Sequence, residues 1–176
     1  QALQAMGDKT VAREMMAKAG VPIIPGAELN GRDTAEAEQV ARSAGYPVII
    51  KAAFGGGGKG MRIVSRPDDL SGALKEASSE ARAAFGDGRI FIEKYLQAPR
   101  HIEFQILADQ HGHIVHLGER ECSIQRRHQK IIEESPSAAI DGTLRRNMGE
   151  AAVQAAMVAR YTNAGTVEFL LDPGGR

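Results

Sequence analysis

Three groups of residues bring together side chains and backbone that could do chemistry. In Lys51-Ala-Ala-Phe-Gly55-Gly-Gly-Gly-Lys59-Gly60 a lysine closes an apolar run, and four consecutive glycines lead to a second lysine. Glycines without Cβ let backbone N–H groups close on anionic oxygens, with Lys51 and Lys59 adding positive charge on either side, so this stretch suits phosphates. A flexible hairpin loop is the plainer alternative. In Gln125-Arg-Arg-His128-Gln-Lys130 three cations and a histidine fall within five residues. Arginine and lysine there can hold anionic oxygens that Gln125 and His128 hydrogen-bond, and a solvated loop is the alternative. The third is Glu168, inside the apolar run Gly165-Thr-Val-Glu-Phe-Leu-Leu171. A carboxylate is costly to bury unpaired, so Glu168 should meet a cation, a metal ion or a surface.

Familiar phosphate loops fail against the glycines. A Walker loop needs Ser or Thr after Gly-Lys at a helix start, whereas Gly58-Lys59 runs into Gly60-Met61 and a β-like segment. Gly55, Gly57 and Gly60 match the dinucleotide fingerprint in form only, because a strand pattern follows instead of a helix N-terminus. A protein-kinase loop carries its lysine after the glycines, not before them. What survives is a β-hairpin lid over a nucleotide.

The elements that must position these groups follow from periodicity and punctuation. Tyr46-Pro-Val-Ile-Ile-Lys51 and Met61-Arg-Ile-Val64 read as the two strands of the hairpin. Asp8 is placed to cap a helix running to about Ala19, which Gly20 ends and Pro22 cannot continue. Lys9 falls in its first turn, where a cation opposes the helix dipole; a functional role and an ordinary exposed lysine both fit. Asp33-Thr-Ala-Glu36 opens a second helix to Ala44, and Pro67-Asp-Asp69 starts a third to Phe85 with Leu70, Ala73, Leu74 and Ala77 on one face. Arg89 to Leu96 reads as a strand whose exit could present backbone groups to an adenine edge, a plain strand end being the alternative. His101 to Ala108 and Ile114 to Gly118 form a meander hairpin. Glu119 to Lys130 shows neither a period of two nor of 3.6, which predicts a loop. Asp141 caps an alanine-rich helix through Tyr161, and the Glu168 strand follows. His111, His113 and His116 invite a metal reading that their spacing does not support, since two belong to a turn and no carboxylate or cysteine matches them. Helix, hairpin, helix, strand describes an α+β chain.

With 22 basic and 22 acidic residues the net charge is zero, which speaks against a general nucleic-acid or membrane binder. Cys122 is the single cysteine, so no disulfide forms within the chain and a reducing compartment fits. No run is apolar enough to span a membrane and no signal peptide opens the sequence. The expectation is a soluble protein, cytoplasmic or, in a eukaryote, of the mitochondrial matrix.

Met6-Gly-Asp-Lys9, Gly45-Tyr-Pro-Val-Ile-Ile-Lys51, Gly55 to Arg62, Ile92-Glu-Lys-Tyr95, Pro99-Arg-His-Ile-Glu103, Glu119 to Lys130 and Gly165-Thr-Val-Glu-Phe169 run in one order over nearly the whole chain. In that order they resemble the biotin carboxylase family of the ATP-grasp superfamily, most closely the biotin carboxylase region of acyl-CoA carboxylases. Glu119 to Lys130 is the most specific of these pieces. The resemblance implies an entry helix over residues 1–20, an ATP-grasp lid over 21–95 and part of the catalytic domain over 96–176. It implies an ATP- and bicarbonate-dependent ligase that carboxylates carrier-bound biotin through carboxyphosphate, with Mg²⁺ or Mn²⁺ as cofactor. Lys9 and Lys51 match lysines on the ATP phosphates. Gly55, Gly56, Gly57, Gly58, Lys59 and Gly60 match the lid loop, and Glu93, Lys94 and Leu96 the adenine hinge. His101, Gln125 and His128 match ribose and phosphate contacts, Lys130 a bicarbonate-side lysine, and Glu168 one of two acidic metal ligands. The implied partners are a biotinylated carrier domain and a carboxyltransferase component, within a homo-oligomeric parent enzyme. The second metal glutamate and the biotin-handling arginine of the family fall outside these 176 residues, so the expectation is a chain that binds MgATP at most and does not turn over. Two rivals remain: another ATP-grasp carboxylate ligase, which should lack Gln125 to Lys130, and a non-catalytic nucleotide-binding or assembly module, which leaves the cation-rich stretch and Glu168 unexplained.

Overall fold

The computed structural model describes residues 9–29, 34–53, 61–127 and 129–175, with side chains from residue 11 onward. The expected lid loop Gly55 to Gly60, His128, the caps Asp8 and Asp33, and the Lys9 side chain lie outside the described residues. In chain order the elements are α1 (Lys9–Lys18), β1 (Gly26–Leu29), α2 (Thr34–Ala44), β2 (Val48–Ala52), β3 (Arg62–Val64), a 3₁₀ turn (Pro67–Asp69), α3 (Leu70–Phe85), β4 (Ile90–Lys94), β5 (Arg100–Ala108), β6 (Ile114–Arg126), β7 (Gln129–Glu134), α4 (Gly142–Val158) and β8 (Asn163–Leu171). They divide into two compact units, one being Ile24–Tyr95 and the other formed by the chain on either side of it. No described helix is long and apolar enough to cross a membrane.

In the Ile24–Tyr95 unit an antiparallel sheet of order β1-β4-β2-β3 carries α2 and α3 on one face. The helices bury small and branched residues at helical spacing: Ala37 and Ala41 from α2, and Leu70, Leu74 and Ala77 from α3. Val48, Ile50, Ile90 and Ile92 meet them from the strands, all at 0 % exposure. Because successive strand side chains alternate, Lys51 and Glu93 must point to the opposite face. The register Ile49↔Glu93 and Lys51↔Phe91 then sets them diagonally across β2 and β4. Strand β1 lacks a sequence signal, being four residues long. Gly26 admits it, since a Cβ there would stand 2.2 Å from the Ile92 carbonyl oxygen of β4.

The other unit is a second antiparallel sheet, of order β7-β6-β5-β8, with α4 on one face and α1 against α4. Phe104 is fully buried at its centre, edge-on to Phe169 with ring centroids 5.9 Å apart. Burying a phenylalanine contributes roughly 2–3 kcal/mol over leaving it exposed. Asp141 caps α4 by accepting from the N–H groups of Thr143 and Leu144. The helix ends at Val158, short of the expected Tyr161, because Arg160 takes a left-handed φ of 50°. With Ile102, Phe104 and Ile106 turned to α4, His101, Glu103 and Gln105 line the opposite face of β5.

The Glu119–Lys130 stretch corrects the sequence expectation. It is not a loop: β6 runs through to Arg126, the chain turns at Arg127 with φ 50°, and β7 resumes at Gln129. The register slips between Glu121 and Ile124 and again between Ile124 and Gln125. Each bulge moves the following side chains off the alternation, which is why the charges show no period of two.

Candidate functional site

On the helix-free face of the Ile24–Tyr95 unit, Lys51 Nζ donates to Glu93 Oε2 at 2.7 Å. Both side chains are partly exposed, so the lysine is held in place and within reach of an incoming anion. The Lys94 side chain is turned to the chain before β2. Its Nζ donates to the carbonyls of Gly45 at 2.7 Å and Tyr46 at 2.9 Å, just beyond the C-terminus of α2, where the negative end of the helix dipole favours a cation. The N–H groups of Lys94 and Tyr95 donate to the carbonyls of Pro25 and Pro47. The side chain of Lys94 and these two N–H groups therefore hold the strand exit together. Leu96 follows, half-buried, in the other unit.

The polar face of the second sheet carries a denser arrangement. Glu103 and Glu168 are direct cross-strand neighbours, as are Glu103 and Arg120. Glu103, 4 % exposed, accepts from Arg120 Nε at 2.6 Å through Oε1 and from Lys130 Nζ through Oε2. Lys130 also donates to Glu168 Oε1 at 2.7 Å. Arg120 reaches on to Gln105 Oε1 at 3.1 Å, whose amide donates to the Gly165 carbonyl of β8 at 2.9 Å. Two carboxylates and two cations thus form one connected group. Burial alone would raise the Glu103 carboxyl, but the bonds from Lys130 and Arg120 outweigh it and hold it below the usual range. The same carboxylates override desolvation at Lys130 and push its ammonium well above the ordinary lysine value. Lys130 is a permanent cation here, not a proton carrier.

His101 lies at the end of this group, with Nε2 3.6 Å from Glu168 Oε2. Its Nδ1 is buried without a hydrogen-bond partner among the described residues, and its backbone N–H donates to Ser123 Oγ at 3.0 Å. Gln125 pairs with Lys130 across the hairpin, but its amide folds back to the Cys122 carbonyl at 2.8 Å and secures the bulge. His111 and His113 sit at the β5–β6 turn, where Asp109 accepts from both backbone N–H groups, and His116 packs edge-on against Phe104.

The structure brings together three of the residues singled out from sequence: His101, Lys130 and Glu168. It sets Lys51 with Glu93 and gives Lys94 and Gln125 structural partners. Glu103, Arg120 and Gln105 were missed as site residues. The available signal was the polar alternation His101, Glu103, Gln105 between Ile102, Phe104 and Ile106, which marks a strand with one polar face and a reason for it.

Metal fit turns on the donor set. Glu103, Cys122 and Glu133 bring donor atoms within 4.8 Å of one another. Both Glu103 oxygens are already answered by Arg120 and Lys130, so a divalent ion there would face two cations. Glu168 is half exposed and offers hard oxygens, as Mg²⁺ requires when it takes one or two carboxylates plus phosphates and water. Glu168 fits a magnesium ion and the cysteine cluster does not.

Comparison with known proteins places this geometry. The family model described as carbamoyl-phosphate synthase L chain, ATP binding domain, matches residues 8–176. Biotin carboxylase of a Nostoc species is 54 % identical over all 176 residues, which span 39 % of that protein. A pyruvate carboxylase polypeptide of Methanothermobacter thermautotrophicus is 56 % identical over 172 residues, 98 % of this chain and 35 % of that one. The crystal structure of a biotin carboxylase–βγ-ATP complex from Campylobacter jejuni matches with a TM-score of 0.89 at 49 % identity, covering 99 % of this chain and 39 % of that one. A 2-oxoglutarate carboxylase biotin carboxylase domain dimer from Hydrogenobacter thermophilus, in complex with MgADP, ADP and bicarbonate, matches at 0.87 and 44 % identity, with 99 % and 38 % coverage. The chain spans less than two-fifths of the length of these two curated relatives.

Proposed function

The chain belongs to the carbamoyl-phosphate synthase L-chain ATP-binding family, and we propose that it is the nucleotide-binding part of a biotin carboxylase. The whole enzyme uses MgATP and bicarbonate to carboxylate biotin on a carrier domain through carboxyphosphate, and passes the carboxyl group to a carboxyltransferase component. Ile24–Tyr95 is its ATP-grasp lid and the second sheet its catalytic half-site. Phosphoryl transfer asks little covalent chemistry of a protein and much charge neutralisation, which the lysines of both units supply. Lys51 leaves or shares Glu93 to meet nucleotide phosphates, assisted by Lys9 and the Gly55–Gly60 backbone. Glu93, Lys94 and Leu96 border the adenine, with His101, Gln125 and His128 toward ribose and phosphates. Lys130 holds the bicarbonate side. Glu168 would hold a magnesium ion, whose charge would serve to neutralise a transferring phosphoryl group. The parent enzyme works as a homo-oligomer in the cytoplasm or, in a eukaryote, in an organelle; relatives include chloroplastic and mitochondrial proteins.

The observation that carries this reading is Lys130 poised between Glu103 and Glu168 on the exposed face of a sheet whose other face is core. A fixed, permanently charged lysine beside a half-exposed carboxylate supports anion and metal binding side by side. Calorimetric titration of this chain with MgATP, beside a Lys51→Ala variant, tests it. Micromolar binding that the variant loses supports the assignment, and equal binding by both chains removes Lys51 from the phosphate site. The chain alone is expected to show no bicarbonate-dependent ATP hydrolysis.

A further inference from the structure

Lys130 has two carboxylate partners, and they are not equivalent. Glu103 is 4 % exposed and its other oxygen is held by Arg120 at 2.6 Å, so its charge stays answered whether or not Lys130 remains. Glu168 is 53 % exposed, and among the described residues its other oxygen has only His101 Nε2 at 3.6 Å, beyond a hydrogen bond. Glu168 is the loosely held member of the group. A divalent cation seeking hard oxygens is drawn to it, and there it meets an ammonium already seated on Oε1.

We propose that Lys130 is a placeholder cation on Glu168, displaced when a divalent cation binds there, so that metal loading frees one ammonium N–H of Lys130 for an incoming anion. The inference rests on the reading of Glu168 as a metal ligand. An ammonium has three donors, and here one serves Glu103 and one Glu168. Two cations on one carboxylate repel, so the newcomer loosens Lys130 from Glu168 as it binds. Withdrawal does not strand the lysine, because Glu103 keeps it in the site. Nor does it strand Glu103, because Arg120 stays. Arg120 is thus a positioning residue that makes the exchange cheap. Binding of metal at Glu168 and of anion at Lys130 then reinforce each other, and such reciprocal couplings run from about 5- to 150-fold. The exposure of Glu168 places this one toward the low end.

Manganese titration of the chain by electron paramagnetic resonance reads the exchange directly. Glu168→Gln should lose the site, and Lys130→Met should bind Mn²⁺ on the order of tenfold more tightly than the unaltered chain. Equal or weaker binding by a folded Lys130→Met chain overturns the proposal. A second measurement needs no substitution at Lys130: Mg²⁺ titration of the unaltered chain, followed by NMR of the Glu168 carboxylate ¹³C and the Lys130 ¹⁵Nζ. Both signals should move with one midpoint. A Glu168 response with Lys130 stationary overturns the displacement while leaving the metal site intact. Should Glu168→Gln bind Mn²⁺ as the unaltered chain does, the metal-ligand reading fails and the inference with it.

Discussion

Replacing Glu103 by glutamine tests whether the charged group on the second sheet is held together by a buried carboxylate or merely collects around it. The substitution keeps the shape and removes the charge. Glu103 accepts from Arg120 through one oxygen and from Lys130 through the other, and its side chain is 4 % exposed. Hydrogen bonds to charged groups are worth roughly 1.5–3 kcal/mol each, and a glutamine keeps at most one of the two while turning an N–H toward a cation. The relief of burying no charge offsets part of that loss, leaving a net cost of about 2–3 kcal/mol at neutral pH. With a urea slope of roughly 1–3 kcal/mol per molar, the unit containing the second sheet should unfold about 1 M earlier. Acid supplies the sign check. The folded-state pKa of Glu103 lies below its ordinary value of 4.5, so its contribution is complete above that value and is lost as pH falls through the folded pKa. The difference between the parent chain and Glu103→Gln should therefore shrink steadily below about pH 4.5. Urea unfolding followed by circular dichroism at neutral pH and at about pH 3.5 decides it. Midpoints that coincide at neutral pH, or a gap that persists undiminished in acid, would refute the reasoning.

Other consequences concern single positions. Cys122 is wholly buried, and burial followed by the nearby carboxylates of Glu103 and Glu133 pushes its thiol up, so a thiol reagent at neutral pH should label it only in denaturant. Labelling of the native chain at the denatured rate would contradict the burial. Gly26→Ala drives a Cβ into the backbone of β4, which cannot yield as a side chain would. It should cost at least 1–3 kcal/mol in the Ile24–Tyr95 unit and weaken nucleotide binding through Glu93, read as an earlier melt and a higher Kd. Phe104→Ala should remove about 3–5 kcal/mol, since the ring is fully buried between Phe169 and His116. A melting point within a degree of the parent would show that the core collapses around the gap.

Wherever one face of an element alternates cleanly, local pattern was enough to find it. Leu70, Leu74 and Ala77 announce α3, Ile102, Phe104 and Ile106 announce β5, and Gly20, Gly45 and Gly86 stand at helix ends with φ between 72° and 77°. Glu119 to Arg126 defeated the same logic. A bulged strand changes which face each residue sees, and charged residues occupy both faces because each finds a partner: Glu119 with Arg145, Glu121 with Arg100 and Ser137, Arg120 with Glu103. Those partners come from β5, from α4 and from the loop before it, so no short window along the chain contains the reason. Strand β1 escaped because four residues hold too little periodicity to register.

By itself the sequence pointed to the family through motifs in a fixed order, and to three members of the polar group, Lys130 and Glu168 by residue type and pattern and His101 by resemblance. Which charges are shared was decided only in three dimensions. The pairing of β5 with both β6 and β8 sets Glu103 between Arg120 and Glu168, and the β6–β7 hairpin carries Lys130 back across them. Ionic contacts made across 17 to 38 positions of chain depend on strand register, and register is set by the burial of the opposite face.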